Sequence, residues 1–233
     1  MSKRYVIVNA DDFGQSPGVN RGVVQAHERG IVTSASLMVR HPHAAQAADY
    51  ARQTPALGVG LHFDLGEWIL RAGDWVPLYE VADLSNSRAI AGELDRQCDL
   101  FVKLLKRPPT HIDSHQHKHL HEPVRSIVCE VAQRYGIPVR GVTIPYCGRF
   151  YGQDENGVSY PDWIAVPALV DILGSLETSV SEIGCHPATE NDVHTMYGSE
   201  RITELATLCN PLVREAISCL EIILISYANE LHF

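Results

Sequence analysis

Residues 5–10 read YVIVNA, and two aspartates, Asp11 and Asp12, follow at once. The run is apolar from Tyr5 to Val8, with none of the period-two alternation of a strand that has one wet face. A strand of that kind is covered on both sides, as in a parallel sheet flanked by helices. Ser16-Pro17 then supplies an N-cap and a first-turn proline for a helix to about Arg29, stopped by Gly30. Working outward, the same alternation repeats. Strands are expected at 33–39, 57–63, 110–115, 139–144, 181–187 and 223–228. Helices are expected at 43–53, 87–106, 123–135, about 167–176, 199–208 and 211–219. Two segments, 64–86 and 145–165, read as irregular, aromatic-rich loops. Strict strand–helix alternation argues for a parallel α/β architecture, either a doubly wound sheet or a barrel.

The chain has 233 residues, 45% of them hydrophobic and 20% charged, with a net charge of -9. That length suits a single domain over 1–233, and no repeat or linker divides it. With no cluster of Lys and Arg, a nucleic-acid or anionic-membrane surface is not expected as the main partner. The apolar run after Lys3 and Arg4 is too short for a signal peptide, and no run is long enough to span a membrane. The six cysteines form no C-x-x-C pair and read as reduced thiols, so a cytoplasmic location is expected.

Chemistry-bearing residues fall where the strands end. Asp11 and Asp12 follow the first strand, His62 ends the third, His115 the fourth, and Cys185-His186-Pro187 the sixth. In parallel α/β folds the carboxyl ends of the strands form the ligand-binding face. A lone strand-end histidine is usually structural, but four segments converging on one rim are not expected by chance. Two imidazoles and one carboxylate make a ligand set for one divalent metal with an open position for water. Adjacent Asp11 and Asp12 should point opposite ways if the strand continues, leaving one for metal and the other for substrate. The stretch THIDSHQHKHLH (110–121) holds five of the 12 histidines. Placed at a strand end it divides. His115 is the candidate ligand, Asp113 a candidate to orient an imidazole, and His117 and His119 are candidates to line or border the pocket. His111 and His121 read as structural.

The blocks VNADDFG (8–14), GIVTSASLMV (30–39), GVGLHFDL (58–65), HIDSHQHKH (111–119) and EIGCHPA (182–188) resemble the YdjC-like carbohydrate deacetylases. That family includes chitooligosaccharide deacetylases and a hopanoid-biosynthesis-associated branch. The resemblance runs nearly end to end. It implies an irregular (β/α) barrel of about seven parallel strands, as in polysaccharide deacetylases. The implied activity is removal of the acetyl group from an N-acetylated oligosaccharide or glycosylated lipid by a metal-activated water. It also implies Asp12, His62 and His115 as metal ligands, Asp11 as general base and His186 as general acid. One divalent ion is expected. The ligand types favour zinc, while magnesium is known in the family. A homo-oligomer is a further expectation from the family.

Competing readings make different demands. A glycoside or phosphoester hydrolase on the same barrel would need two flanking carboxylates, for which Asp11 and Asp113 are the obvious pair. A non-enzymatic metal-binding tract would hold several ions along residues 111–121.

Overall fold

The computed structural model describes residues 3–176 and 179–229. Its elements, in chain order, are β1 (Arg4–Phe13), α1 (Pro17–Arg29), β2 (Ser34–Leu37), α2 (Ala44–Gln53), β3 (Gly58–Phe63), β4 (Gly66–Arg71), β5 (Asp74–Glu80), α3 (Ser87–Leu105) and β6 (Ile112–Ser114). A short 3-10 segment (His115–Leu120) then precedes α4 (Val124–Tyr135) and β7 (Tyr146–Cys147). After a second 3-10 turn (Pro161–Ile164) come α5 (Val166–Ser175), β8 (Val180–Cys185), α6 (Glu200–Leu208), α7 (Pro211–Cys219) and β9 (Ile222–Leu224).

Seven strands form one parallel sheet in the order β6-β3-β2-β1-β8-β7, with β9 also on β1. The lower half of β1, Arg4–Val6, pairs with β9, and its upper half pairs with β2 from Asn9↔Ser34 onward. Burial of every residue from Val6 to Phe13 explains the unbroken apolar run: helices cover the outside of the sheet and its curl covers the inside. Isolated parallel bridges, Ile112↔Val139 and Arg140↔Ile144, span the gap between β6 and β7. The sheet thus curls into an irregular barrel of seven parallel strands. Among the described residues no helix is long and apolar enough to cross a membrane.

The helix boundaries follow their caps. Ser16 Oγ accepts the Val19 N–H at 3.0 Å to start α1, and Asn86 Oδ1 accepts from Arg88 and Ala89 to start α3. Three expectations need correction. The strand expected at 139–144 survives only as the two bridges, because Gly141 (φ +65°) and bonds from Val142 and Thr143 N–H to the Val139 carbonyl fold it into a turn. The expected loop 64–86 contains the antiparallel hairpin β4–β5, turned by Ala72-Gly73, both at positive φ (53° and 91°) as a two-residue hairpin demands. Asp11 and Asp12 lie within β1, not after it.

Candidate active site

The last residues of β1 are not regular strand. Asp12 adopts φ 62°, and the pairing with β2 slips between Ala10 and Phe13. A left-handed non-glycine residue costs about 1–3 kcal/mol, so the surrounding contacts must hold it. This bulge corrects the expectation that the two aspartates point apart: both line one cavity. Its volume is about 830 Å³, and His62, His115, His117 and His186 line it as well. Asp113 is fully buried and lies beneath that wall.

Asp12 Oδ1 sits 3.2 Å from His62 Nε2 and 3.1 Å from His115 Nδ1. Adjacent ligands on an ion with bonds of about 2.1 Å are separated by roughly 3.0–3.4 Å, so the three atoms fit one small divalent cation. Among the described residues the buried His115 Nε2 has no hydrogen-bond partner, the Glu67 carboxylate lying 3.7 Å away. Among the described residues a second group, Asp11, His62 and Asp113, also brings donor atoms together. Its atoms are already committed, His62 Nδ1 to Asp113 Oδ1 at 2.8 Å and the carboxylates to an arginine.

Two buried arginines, absent from the expected site, hold these acids. Arg140 donates Nη1 and Nη2 to Asp11 Oδ2 and Oδ1, both at 2.6 Å, and its Nη2 also meets Asp113 (2.8 Å) and Glu182 (2.7 Å). Asn9 Nδ2 donates to Asp11 Oδ1, and Ser36 Oγ to Asp113 Oδ2. Arg201, from α6, donates Nη2 to Asp12 Oδ2 at 2.6 Å, leaving Oδ1 to the two histidines. Burial pushes the Asp12 carboxyl up, but Arg201 and His115 outweigh it and hold it well below the usual range. Burial likewise pushes Asp11 up, and Arg140 brings it down despite nearby Asp113. For His115 burial works downward, yet Asp12 and Glu67 lift it to about 9. His62 is lifted well above its ordinary value by Asp113 and Asp12 against the same burial.

His186 stands across from these groups, with Nε2 3.8 Å from Asp11 Oδ2. Its backbone N–H donates to the buried Glu204, which also accepts from Tyr197 OH. Glu204 Oε1 is 3.7 Å from His186 Nδ1. Tyr151 and Tyr197 stack on each other and present their edges to the imidazole, at 5.6 and 5.3 Å.

The histidines of residues 111–121 have separate surroundings. His111 is fully buried, stacked on Tyr227 at 3.8 Å, with Nε2 3.1 Å from Ser36 Oγ. His119 lies between Ser114 Oγ and the Arg140 carbonyl. His117 reaches the cavity because Gln116 and His117 both take left-handed angles after β6. Asp113 does not line the cavity and shares the Arg140 Nη2 with Asp11, so Asp11 and Asp113 do not stand as the flanking pair considered for a glycoside hydrolase.

The chain matches the YdjC-like protein family over residues 5–218. It is 38% identical to a carbohydrate deacetylase of Geobacillus stearothermophilus, over 89% of this chain and 90% of that protein. It is 32% identical to a chitooligosaccharide deacetylase of Serratia marcescens, over 93% and 95%. Among solved structures, an Enterococcus faecalis protein provisionally named for cellobiose-phosphate cleavage superposes with a TM-score of 0.75 at 30% identity, covering 97% of this chain and 98% of that one. A Streptomyces lividans family 4 carbohydrate esterase, solved with acetate, shares the fold at a TM-score of 0.56 and 14% identity, covering 96% and 92%.

Proposed function

The chain belongs to the YdjC-like family, and from that premise we propose that it is a metal-dependent deacetylase acting on the acetamide of an N-acetylated sugar. The observation that carries the reading is one cavity in which Asp12, His62 and His115 converge beside Asp11 and His186. We read residues 1–233 as one domain, since these side chains come from strands spread between β1 and β8.

Asp12, His62 and His115 would hold the ion, which when bound supplies Lewis-acid polarisation of the acetyl carbonyl and of a water. Imidazole ligands favour zinc, cobalt or nickel over magnesium, which prefers oxygen. Asp11 accepts the proton of the attacking water. Arg140 and Asn9 fix its plane and keep it ionised, which makes it available at neutral pH but a weak base. Such a base needs an acidified water, which is why a Lewis acid belongs beside it. His186, on the opposite side, hands a proton to the departing nitrogen so that an amine rather than an amide anion leaves. Glu204 and the two tyrosines set its ring for that transfer. Asp113 orients His62 through Nδ1, leaving Nε2 toward Asp12.

Metal analysis of the purified protein, with acetate release from N-acetylglucosamine, chitobiose and glycosylated lipids, tests the reading. About one ion per chain and EDTA-sensitive acetate release are expected. Release of reducing sugar or phosphate without acetate would overturn it.

A further inference from the structure

A second cavity, of about 460 Å³, adjoins the first. The two share Gly148, Tyr151 and Gln153 in their walls. Tyr151 is also the ring that presents its edge to His186, so the shared wall begins at the candidate acid. Gly148, one of the shared residues, is exposed. Trp163 lines the second cavity, as do Arg149 and Asp171, which bring opposite charges to its wall.

The 3-10 turn Pro161–Ile164 buries Ile164 completely, and Thr207 Oγ1 pins the Ile164 carbonyl at 2.7 Å. The neighbouring Trp163 is thereby turned outward and remains 45% exposed. Tyr160 stacks flat against it, 4.3 Å between centroids at 10°, which fixes the plane of the indole. A rigid, half-exposed aromatic plane edged by polar groups, next to a hydrolytic cavity, matches one ligand chemistry well. A pyranose ring has an apolar C–H face for the indole and equatorial hydroxyls for the charged rim.

We propose that this second cavity is a subsite for a further sugar ring of an N-acetylated oligosaccharide, with Trp163 as its platform. The proposal rests on the deacetylase reading of the first cavity and adds where a further ring of an oligosaccharide chain binds. Trp163 touches none of the groups assigned to metal or proton transfer, so it sets chain-length preference rather than chemistry.

The test measures kcat/KM for acetate release from N-acetylglucosamine oligomers of two to five rings. It compares the wild type, Trp163→Ala and Ala168→Met, the last placing a longer side chain from α5 into the second cavity. In the wild type, one added ring raises kcat/KM about tenfold, equivalent to about 1.4 kcal/mol. Both variants remove that step and leave the shortest substrate nearly unchanged. A step that persists in both variants, no step in the wild type, or an equal loss at every length overturns the subsite. Calorimetric titration with the same sugars separates the two readings. If the wild type releases no acetate, binding that tightens with length and weakens in both variants keeps the subsite and removes the deacetylase reading. Binding without length dependence removes the subsite.

Discussion

Arg140 touches three acids from three strands: Asp11 on β1, Asp113 on β6 and Glu182 on β8. Removing it leaves those carboxylates buried without a counter-charge, so Arg140→Met should cost about 3–5 kcal/mol, read from urea unfolding. Arg140→Lys keeps the charge but not the planar fork, and should fold while losing kcat because Asp11 is no longer held by both oxygens. Asp11→Asn should retain the metal and lose turnover; near-native acetate release from it would remove Asp11 as the base. His111 yields a pH prediction. Burial holds its folded-state pKa at about 3, below the ordinary value near 6.5. Between those values the unfolded chain takes up a proton that the folded chain refuses, so stability is greatest above pH 6.5 and falls as pH drops toward 3. The slope should be about 1 kcal/mol per pH unit for this residue. Urea midpoints at pH 7.5, 6 and 5 should fall in that order, and His111→Asn should flatten the trend. The aspartates and histidines could be read from the sequence because they sit at the ends of apolar runs. The arginines could not, since nothing local distinguishes a guanidinium that will be buried from one that stays wet. The available signal was indirect: Asn9, Ser36 and Glu182 are polar residues inside strands that are otherwise buried, and such groups require partners.

At the level of elements, helix α1 meets the segment after β8 through a glycine. A Cβ on Gly22 would lie 2.5 Å from the Ala188 Cα and the Pro187 carbonyl oxygen, both backbone atoms that cannot swing aside. Gly22→Ala should therefore push α1 off the segment that carries His186, costing about 1–3 kcal/mol and lowering kcat. Among the described residues nothing lies within 4 Å of the missing Cβ of Gly174, within α5. Gly174→Ala should stabilise by roughly 0.5–1 kcal/mol with activity unchanged, which makes it the control for the same urea titration. The elements that were legible in the sequence had local signals: β1 and β3 by unbroken apolar runs, α1 by its Ser16-Pro17 cap and α3 by apolar residues at helical spacing. The hairpin β4–β5 was obscured because Trp, Gly and Pro dominate its composition, although Ala72-Gly73 between two strand-like runs is a turn signal. The segment 139–144 has strand composition but must turn immediately. Its role in joining β6 to β7 is set by the curvature of the whole sheet, which no local pattern carries.

Across the whole molecule, the strands concentrate charge at one end of the barrel. Three aspartates are held ionised there against two buried arginines, and His62 and His115 keep protons well above their ordinary range. On the proposed reading, a divalent cation held by Asp12, His62 and His115 would bind the folded chain alone, because the unfolded chain scatters those ligands along about a hundred residues. Binding of that kind is folding stability. At a free ion concentration a thousandfold above the dissociation constant it contributes about 4 kcal/mol, and in a chain of this size each kcal/mol moves Tm by about 2–4 °C. Calorimetric melting in excess zinc should therefore exceed melting in EDTA by roughly 10 °C. In His62→Ala the difference should vanish, because one of the three ligands is lost while the histidine-rich stretch some fifty residues away stays intact. Had residues 111–121 formed a self-sufficient metal tract, the zinc-dependent rise would persist in that variant, and the single-ion site assembled from three strand ends would be wrong.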